Sequence, residues 1–112
     1  MTKSVIRTYS RYSTDAVMLL GKLIRSARKQ RKLTSQEVSE RAGISRGLLQ
    51  RIEKGDMKCG IGAVFEVATI VGVHLFEADE STLKKYILQT EEKLSLLPKT
   101  VRKAAKVVND DF

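Results

Sequence analysis

Apolar residues recur at helical spacing in two short runs between residues 34 and 55, and a glycine separates the runs. Residues three and four apart lie on the same face of a helix, so each run forms one apolar face. Gly43 can supply the left-handed conformation that ends a helix, and Gly55 follows the second run in the same way. The pattern predicts two short helices joined by a tight turn. Their inward residues are Val38 and Ala42 in the first helix, and Leu48, Leu49 and Ile52 in the second.

Both predicted helices begin at residues that can cap them. Thr34 and Glu37 have the spacing of a capping box, in which each side chain accepts a hydrogen bond from the other residue's backbone N–H. Ser45 is a favourable N-cap for the second helix. A helix, a glycine turn and a second helix form the helix-turn-helix pattern, in which the second helix enters the major groove of DNA. Its outward residues Arg46, Gln50 and Arg51 would then meet base edges.

Three further segments have the periodicity of helices. Residues 15 to 32 have an inward stripe of Leu20, Ile24 and Ala27, and residues 61 to 71 form an apolar helix ended by Gly72. Residues 73 to 76 suggest a further short helix or a turn. Residues 81 to 97 form an amphipathic helix that Pro98 stops. The sequence therefore predicts an all-α fold.

These segments divide the chain into four parts. Residues 1 to 14 are an N-terminal arm, and residues 15 to 80 form the helix-turn-helix domain. Residues 81 to 97 pack either on that domain or on a second copy of the chain, and residues 98 to 112 are expected to be a flexible tail. The candidate contacts of the amphipathic helix are Leu83, Tyr86, Ile87 and Leu94.

A generic helical hairpin with solvated arginines would show the same local pattern, but the charge distribution favours DNA binding. The chain has 21 Lys and Arg against 13 Asp and Glu, a net charge of +8. Residues 1 to 60 hold 14 of the basic and 5 of the acidic side chains, whereas residues 61 to 98 hold 3 and 6. The basic excess thus coincides with the segment that would contact phosphates.

Other chemistry has little support in the composition. Cys59 is the single cysteine, which rules out an internal disulfide, and His74 has no companions for a metal site. No His, Cys or carboxylate cluster has catalytic or metal-binding spacing, so we expect neither an enzyme nor a cofactor. Without a signal sequence or an apolar run of about 18 residues, the chain is expected in the cytoplasm and away from membranes.

The segment from Leu20 to Phe76 resembles the lambda-repressor-like, or XRE-type, helix-turn-helix family. The resemblance lies in LGKLIRSARKQRKLT, the turn at Gly43, SRGLLQRIEKG and GVHLF. It implies a five-helix DNA-binding domain, here with the amphipathic helix and the tail added after it. It also implies a structural ion pair between Arg28 of the first helix and Glu53 near the end of the recognition helix.

The resemblance further assigns roles in DNA binding. Ser35 would hold a phosphate, although the family commonly has glutamine there. Gly47 departs from the pattern because it has no side chain, which shifts base reading to Arg46 and Arg51. The implied base-reading set is Ser45, Arg46, Gly47, Gln50 and Arg51. The expected phosphate contacts are Ser35, Lys54, Lys58, Arg28, Arg31 and Lys32.

A narrower resemblance extends over the whole chain. It lies in RTYSRYS, SRGLLQRIEKGD, FEVATIVGV, QTEEKLSLLPKTVRK and the terminal NDDF. These motifs look like the HipB-like antitoxins, which implies a homodimer that represses its own operon by binding double-stranded operator DNA. It also implies a HipA-like Ser/Thr kinase toxin as partner, with Phe112 as a candidate docking anchor. Two alternatives are a stand-alone repressor without a toxin and a protein-interaction module.

Overall fold

The computed structural model describes residues 8 to 103, and all regular structure in that part of the chain is helical. The prediction of an all-α fold is confirmed. The helices are α1 (Arg11–Gln30), α2 (Ser35–Ala42), α3 (Arg46–Glu53), α4 (Ile61–Val71) and α5 (Glu80–Ser95). The chain divides into two compact units, one that contains α1 to α4 and ends at Glu77, and one that begins at Ala78 and contains α5.

The core of the first unit is aliphatic, and each of its four helices contributes to it. Full burial of one such side chain stabilises a fold by about 1.5–3 kcal/mol. The residues Ala42 and Leu48, which the spacing also places inward, are only partly buried at the edge of this core. The buried members are Ile24, Val38, Leu49, Ile52, Val67, Ala68 and Val71.

The helices α2 and α3 begin and end through short local contacts. The capping box forms, with the N–H of Glu37 donating to Thr34 Oγ1 at 3.0 Å and the N–H of Thr34 donating to Glu37 Oε1 at 2.8 Å. Gly43 ends α2 with φ of 70°, in the left-handed region that favours glycine. Ser45 then caps α3, since its hydroxyl accepts from the N–H of Leu48 at 3.0 Å. These contacts place α3 directly after α2.

The first helix begins earlier than its apolar pattern indicates. It starts at Arg11, four residues before the expected boundary at residue 15, because Ser10 caps it by accepting from the N–H of Ser13 at 3.1 Å. The end of the predicted arm is therefore helical. Residues 1 to 7 of that arm and residues 104 to 112 of the tail, including Phe112, lie outside the described residues.

The segment after α4 takes the turn alternative. Gly72 ends α4 with φ of 87°, and the residues that follow form bends without a helix. Val73 and Leu75 pack against the core, and the ring of Phe76 stacks on that of Phe65 with centroids 6.1 Å apart. The short apolar run at residues 73 to 76 thus closes the core without a helix of its own.

Gly21 permits a close crossing of α1 and α3. A Cβ at this position would lie 2.7 Å from the carbonyl oxygens of both Ile52 and Glu53. Backbone atoms cannot move aside as a flexible side chain can, so only glycine allows this approach. The contact fixes how α1 lies against the end of α3.

Lys32 occupies a backbone conformation that favours glycine. It follows α1 with φ of 59°, and the N–H of the next residue, Leu33, donates to the carbonyl of Arg28 at 3.0 Å. We expect Lys32→Gly to raise the free energy of unfolding by about 1 kcal/mol, because it removes the strain of a side chain in the left-handed region. Urea unfolding would measure the change. Lys29→Gly, within the helix, is the matched control and should destabilise the protein by about 1 kcal/mol.

Candidate nucleic-acid interface

The helix α3 has one buried and one exposed face. Leu49 and Ile52 are buried in the core. Arg46, Gln50 and Arg51 are exposed, as is Gly47 between them. Gln50 lies four residues after Arg46, and Arg51 lies four residues after Gly47, so the two pairs form adjacent rows of one polar surface.

The first turn of α3 offers a hydroxyl and open space. The Ser45 oxygen is used in the cap, which leaves its hydroxyl proton as the group available to a ligand. A Cβ at Gly47 would meet only the Ser45 hydroxyl, at 3.9 Å. The missing side chain at residue 47 therefore leaves room beside Arg46 and is not required by packing.

Arg51 is held at the far end of this surface. Its Nε donates to Asp56 Oδ2 at 2.9 Å, and the side chains of Arg51 and Asp56 are 51% and 31% exposed. Asp56 also accepts from the backbone N–H of Lys58 at 2.8 Å. The hydrogen bond from the Lys58 N–H lowers the pKa of the Asp56 carboxyl from its ordinary value, and the hydrogen bond from the Arg51 guanidinium lowers it further. The ionised carboxylate thus orients the guanidinium through Nε.

A cleft of about 240 Å³ lies where α1, the start of α2 and α3 meet. The first residue of α2, Ser35, lies on it, and a helix start carries unpaired N–H groups and partial positive charge. Arg25 and Lys54 add two exposed cations to its lining. The full lining is Arg25, Arg28, Ser35, Gln50, Glu53 and Lys54. Its chemistry suits an anion such as a phosphate.

Arg28 and Glu53 form an ion pair at this cleft. The guanidinium binds the carboxylate through two hydrogen bonds, Nε to Oε2 at 2.6 Å and Nη2 to Oε1 at 3.1 Å. Its Nη1 also donates to the Leu33 carbonyl at 3.1 Å. The hydrogen bond to Glu53 raises the pKa of Arg28 against the opposing effect of burial. The side chains are only 11% and 8% exposed, so the pair joins α1 to α3 as part of the scaffold.

The remaining phosphate candidates lie away from the cleft lining. The Arg31 guanidinium lies against Gly72 at the end of α4. Lys32 is exposed in the turn after α1, and Lys58 is exposed in the loop after α3. The cleft instead contains Arg25, which the sequence shows only as one of several basic residues near the end of the first helix. Its three-residue spacing from Arg28 is the signal that places both on one face.

The described residues offer no support for a metal site. Within residues 8 to 103, no three His, Cys, Asp or Glu side chains are placed to hold a metal ion together. Cys59 is partly buried against the core, and this burial raises the pKa of its thiol. None of the helices in the described part of the chain has the length and apolar character needed to cross a membrane.

Residues 21 to 111 match the family model described as a helix-turn-helix domain. The chain therefore belongs to the helix-turn-helix family. It is also similar to the Uncharacterized HTH-type transcriptional regulator y4dL of Sinorhizobium fredii (strain NBRC 101917 / NGR234), with 28% identity over 60 residues. The match covers 54% of this chain and 31% of that relative, so the chain spans about a third of the relative's length. No solved structure matches the chain.

Proposed function

We propose that the protein is a sequence-specific DNA-binding repressor that acts as a homodimer. The observation that carries this proposal is the exposed polar face of α3 beside a basic cleft at the start of α2. A groove-reading helix needs an outward face for the bases and nearby positive groups for the backbone. Repression requires only that the operator be occupied, so this function needs no catalytic residue.

The α3 helix lies in the major groove in this proposal, with Arg46 and Arg51 as the base-reading residues. A guanidinium can donate two hydrogen bonds to guanine O6 and N7, so we expect G·C pairs in each half-site. Ser45 and Gln50 flank them, and Gly47 contributes no side-chain contact. Discrimination at each such pair is about 1–3 kcal/mol.

Phosphates occupy the cleft beside α3. Arg25 and Lys54 supply charge, and the start of α2 at Ser35 supplies N–H donors. These contacts fix the position of the protein on DNA and raise its affinity without selecting a sequence. The general positive field of the protein then includes Lys58, Arg31 and Lys32, which make no contact in the cleft. Arg28 instead holds α1 to α3 through Glu53.

Dimerisation supplies the second half-site. The recognition helix has only eight residues, Arg46–Glu53, which reach too few bases to select one operator among many sites. A twofold dimer doubles the number of bases that are read and matches a palindromic operator. The candidate dimer contacts are Leu83, Tyr86, Ile87 and Leu94.

Binding to the DNA upstream of the protein's own gene tests the function. The full chain is titrated into a labelled fragment of that region and into a scrambled duplex of equal composition, with fluorescence anisotropy as the readout. We expect affinity for one site at least about a thousandfold higher than for the scrambled duplex. Little salt-dependent binding to either duplex would instead favour the protein-interaction module.

The phosphate assignment has a separate signature in salt. We expect Arg25→Ala and Lys54→Ala each to weaken binding to all duplexes by similar factors. Each lost phosphate contact should reduce the slope of log affinity against log salt by about 0.9, and a dimer loses two contacts. Arg41→Ala, in the last turn of α2, is the matched control and should leave the slope unchanged. An unchanged slope for Arg25→Ala would remove that residue from the interface.

We further propose that the repressor is the antitoxin of a HipA-like kinase toxin. The support is the resemblance of motifs along the whole chain to the HipB-like class. Co-purification with the product of the adjacent gene tests this role, with and without residues 99 to 112. Loss of the kinase from the truncated chain would support docking through this tail, in which Phe112 is the candidate anchor. A neighbouring region that encodes no kinase would favour the stand-alone repressor.

A further inference from the structure

The α5 helix carries a seam of the kind that pairs with a second helix. Five residues of α5 and the turn after it recur at alternating spacings of four and three. They therefore occupy the two inward positions of a heptad repeat. No side chain of α5 is buried, and Ile87 and Leu94 are 56% and 62% exposed. The seam consists of Leu83, Ile87, Thr90, Leu94 and Leu97.

Thr90 fits this seam despite its hydroxyl. The hydroxyl donates to the backbone carbonyl of Tyr86 within the same helix, at 2.7 Å. Its hydrogen-bonding need is therefore met inside α5, and its methyl group can face an apolar partner without leaving an unpaired donor. The seam is thus continuous from Leu83 to Leu97.

The charges beside the seam indicate both the partner and its direction. Lys84 and Glu91 flank the seam on one side, and Tyr86 and Lys93 flank it on the other. In an antiparallel pair, flanking residues of the same side face each other, so each Lys84 faces the partner's Glu91. In a parallel pair, opposite sides meet, and Glu91 would face a tyrosine. Glu91 therefore faces a cation of the second copy only when the two helices are antiparallel.

We propose that α5 pairs antiparallel with α5 of a second copy of the chain. Leu83 packs against the partner's Leu94, and Ile87 packs against the partner's Thr90, with the twofold axis between residues 88 and 89. Lys84 and the partner's Glu91 form two symmetric ion pairs that fix this register. Within one chain, Lys84 Nζ lies 3.9 Å from Glu80 Oε2, which is a long distance for an ion pair. Both side chains are at least 74% exposed, so the ammonium is accessible to the partner.

Charge reversal tests the pairing in the full chain. Lys84→Glu and Glu91→Lys each turn two attractive pairs into two repulsive ones. We expect each to raise the dimer dissociation constant about five- to tenfold, measured by sedimentation equilibrium. The double variant Lys84→Glu with Glu91→Lys restores the pairs with exchanged signs, and its dissociation constant should return to within about twofold of the parent's.

The matched control is the pair Lys85 and Glu92. These residues have the same charges and the same seven-residue spacing as Lys84 and Glu91, but they lie opposite the seam. Lys85→Glu and Glu92→Lys should leave the dissociation constant unchanged. A monomeric parent chain at about 100 μM, no rescue in the double variant, or equal effects of the control pair would each overturn the antiparallel dimer.

This inference rests on the proposed function only for its homodimer, and the two fail separately. The charge-reversal cycle needs no DNA, so rescue of dimerisation in a chain that binds no operator would overturn the repressor and leave the α5 pairing in place. Conversely, a Lys84→Glu chain with the parental dimer dissociation constant and the parental operator affinity would overturn the pairing and leave the repressor intact.

Discussion

Replacing Arg46 and Arg51 together with alanine is expected to weaken operator binding by about a hundredfold or more. Each bidentate contact to guanine contributes about 1–3 kcal/mol of discrimination, and 1.4 kcal/mol corresponds to a factor of ten. Binding to the scrambled duplex should fall far less, because phosphate contacts supply most of that affinity. The ratio of the two affinities, measured by anisotropy at one salt concentration, is therefore the informative quantity.

The two arginines are expected to contribute unequally. Arg46 lies in the first turn of α3, where recognition helices usually contact bases. Arg51 lies in the last turn, and its Nε is already bound to Asp56. The other guanidinium nitrogens can still reach a base, but the bound Nε restricts the directions in which they point. Arg46→Ala alone should thus account for most of the lost specificity.

Stability provides the control for this substitution. Both side chains are exposed. Loss of the Arg46 side chain should therefore change the free energy of unfolding by less than about 0.5 kcal/mol. Loss of the Arg51 side chain should remove only the small contribution of an exposed ion pair. Arg41→Ala, which removes an exposed arginine from α2, should bind the operator like the parent. Parental operator affinity in the double variant would show that the groove assignment is wrong.

Local signals explain why α2 and α3 could be predicted from the sequence. The reciprocal contacts of Thr34 and Glu37 span three residues, and Gly43 ends α2 by its own conformation. Such features depend on neighbours in the chain and so are visible in it. The signal for the start of α1 is equally local, since Ser10 caps the helix through the N–H of Ser13. The apolar stripe begins later in the chain, however, and it predicts a start near residue 15.

The composition of the cleft could not be read from the sequence in the same way. Several basic residues crowd the end of α1, and periodicity shows only which of them share a face. Which face meets α2 and α3 depends on how α1 is rotated against α3. That rotation depends on long-range packing, in which Gly21 lies against the carbonyls of Ile52 and Glu53 and Ile24 is buried in the core. As a result Arg25 lines the cleft and Arg31 lies against Gly72.

The ion pair of Arg28 and Glu53 joins α1 to α3 and also lines the cleft. Glu53→Ala should therefore have the largest effect on stability. The variant leaves the Arg28 guanidinium without its carboxylate at a position only 11% exposed. Removing one partner of a buried pair costs about 3–5 kcal/mol, since the remaining charge stays desolvated. Chemical denaturation by urea would measure this loss.

Two comparisons isolate the cause of this loss. Asp56→Ala removes the carboxylate of the exposed pair with Arg51 and should cost far less, because solvent screens exposed ion pairs. Replacing both partners, as Arg28→Met with Glu53→Leu, leaves no unpaired charge, so most of the stability lost in Glu53→Ala should return. If Glu53→Ala costs no more than Asp56→Ala, the pair does not hold α1 to α3. The position of the cleft beside the recognition helix would then rest on the Gly21 crossing and the aliphatic core alone.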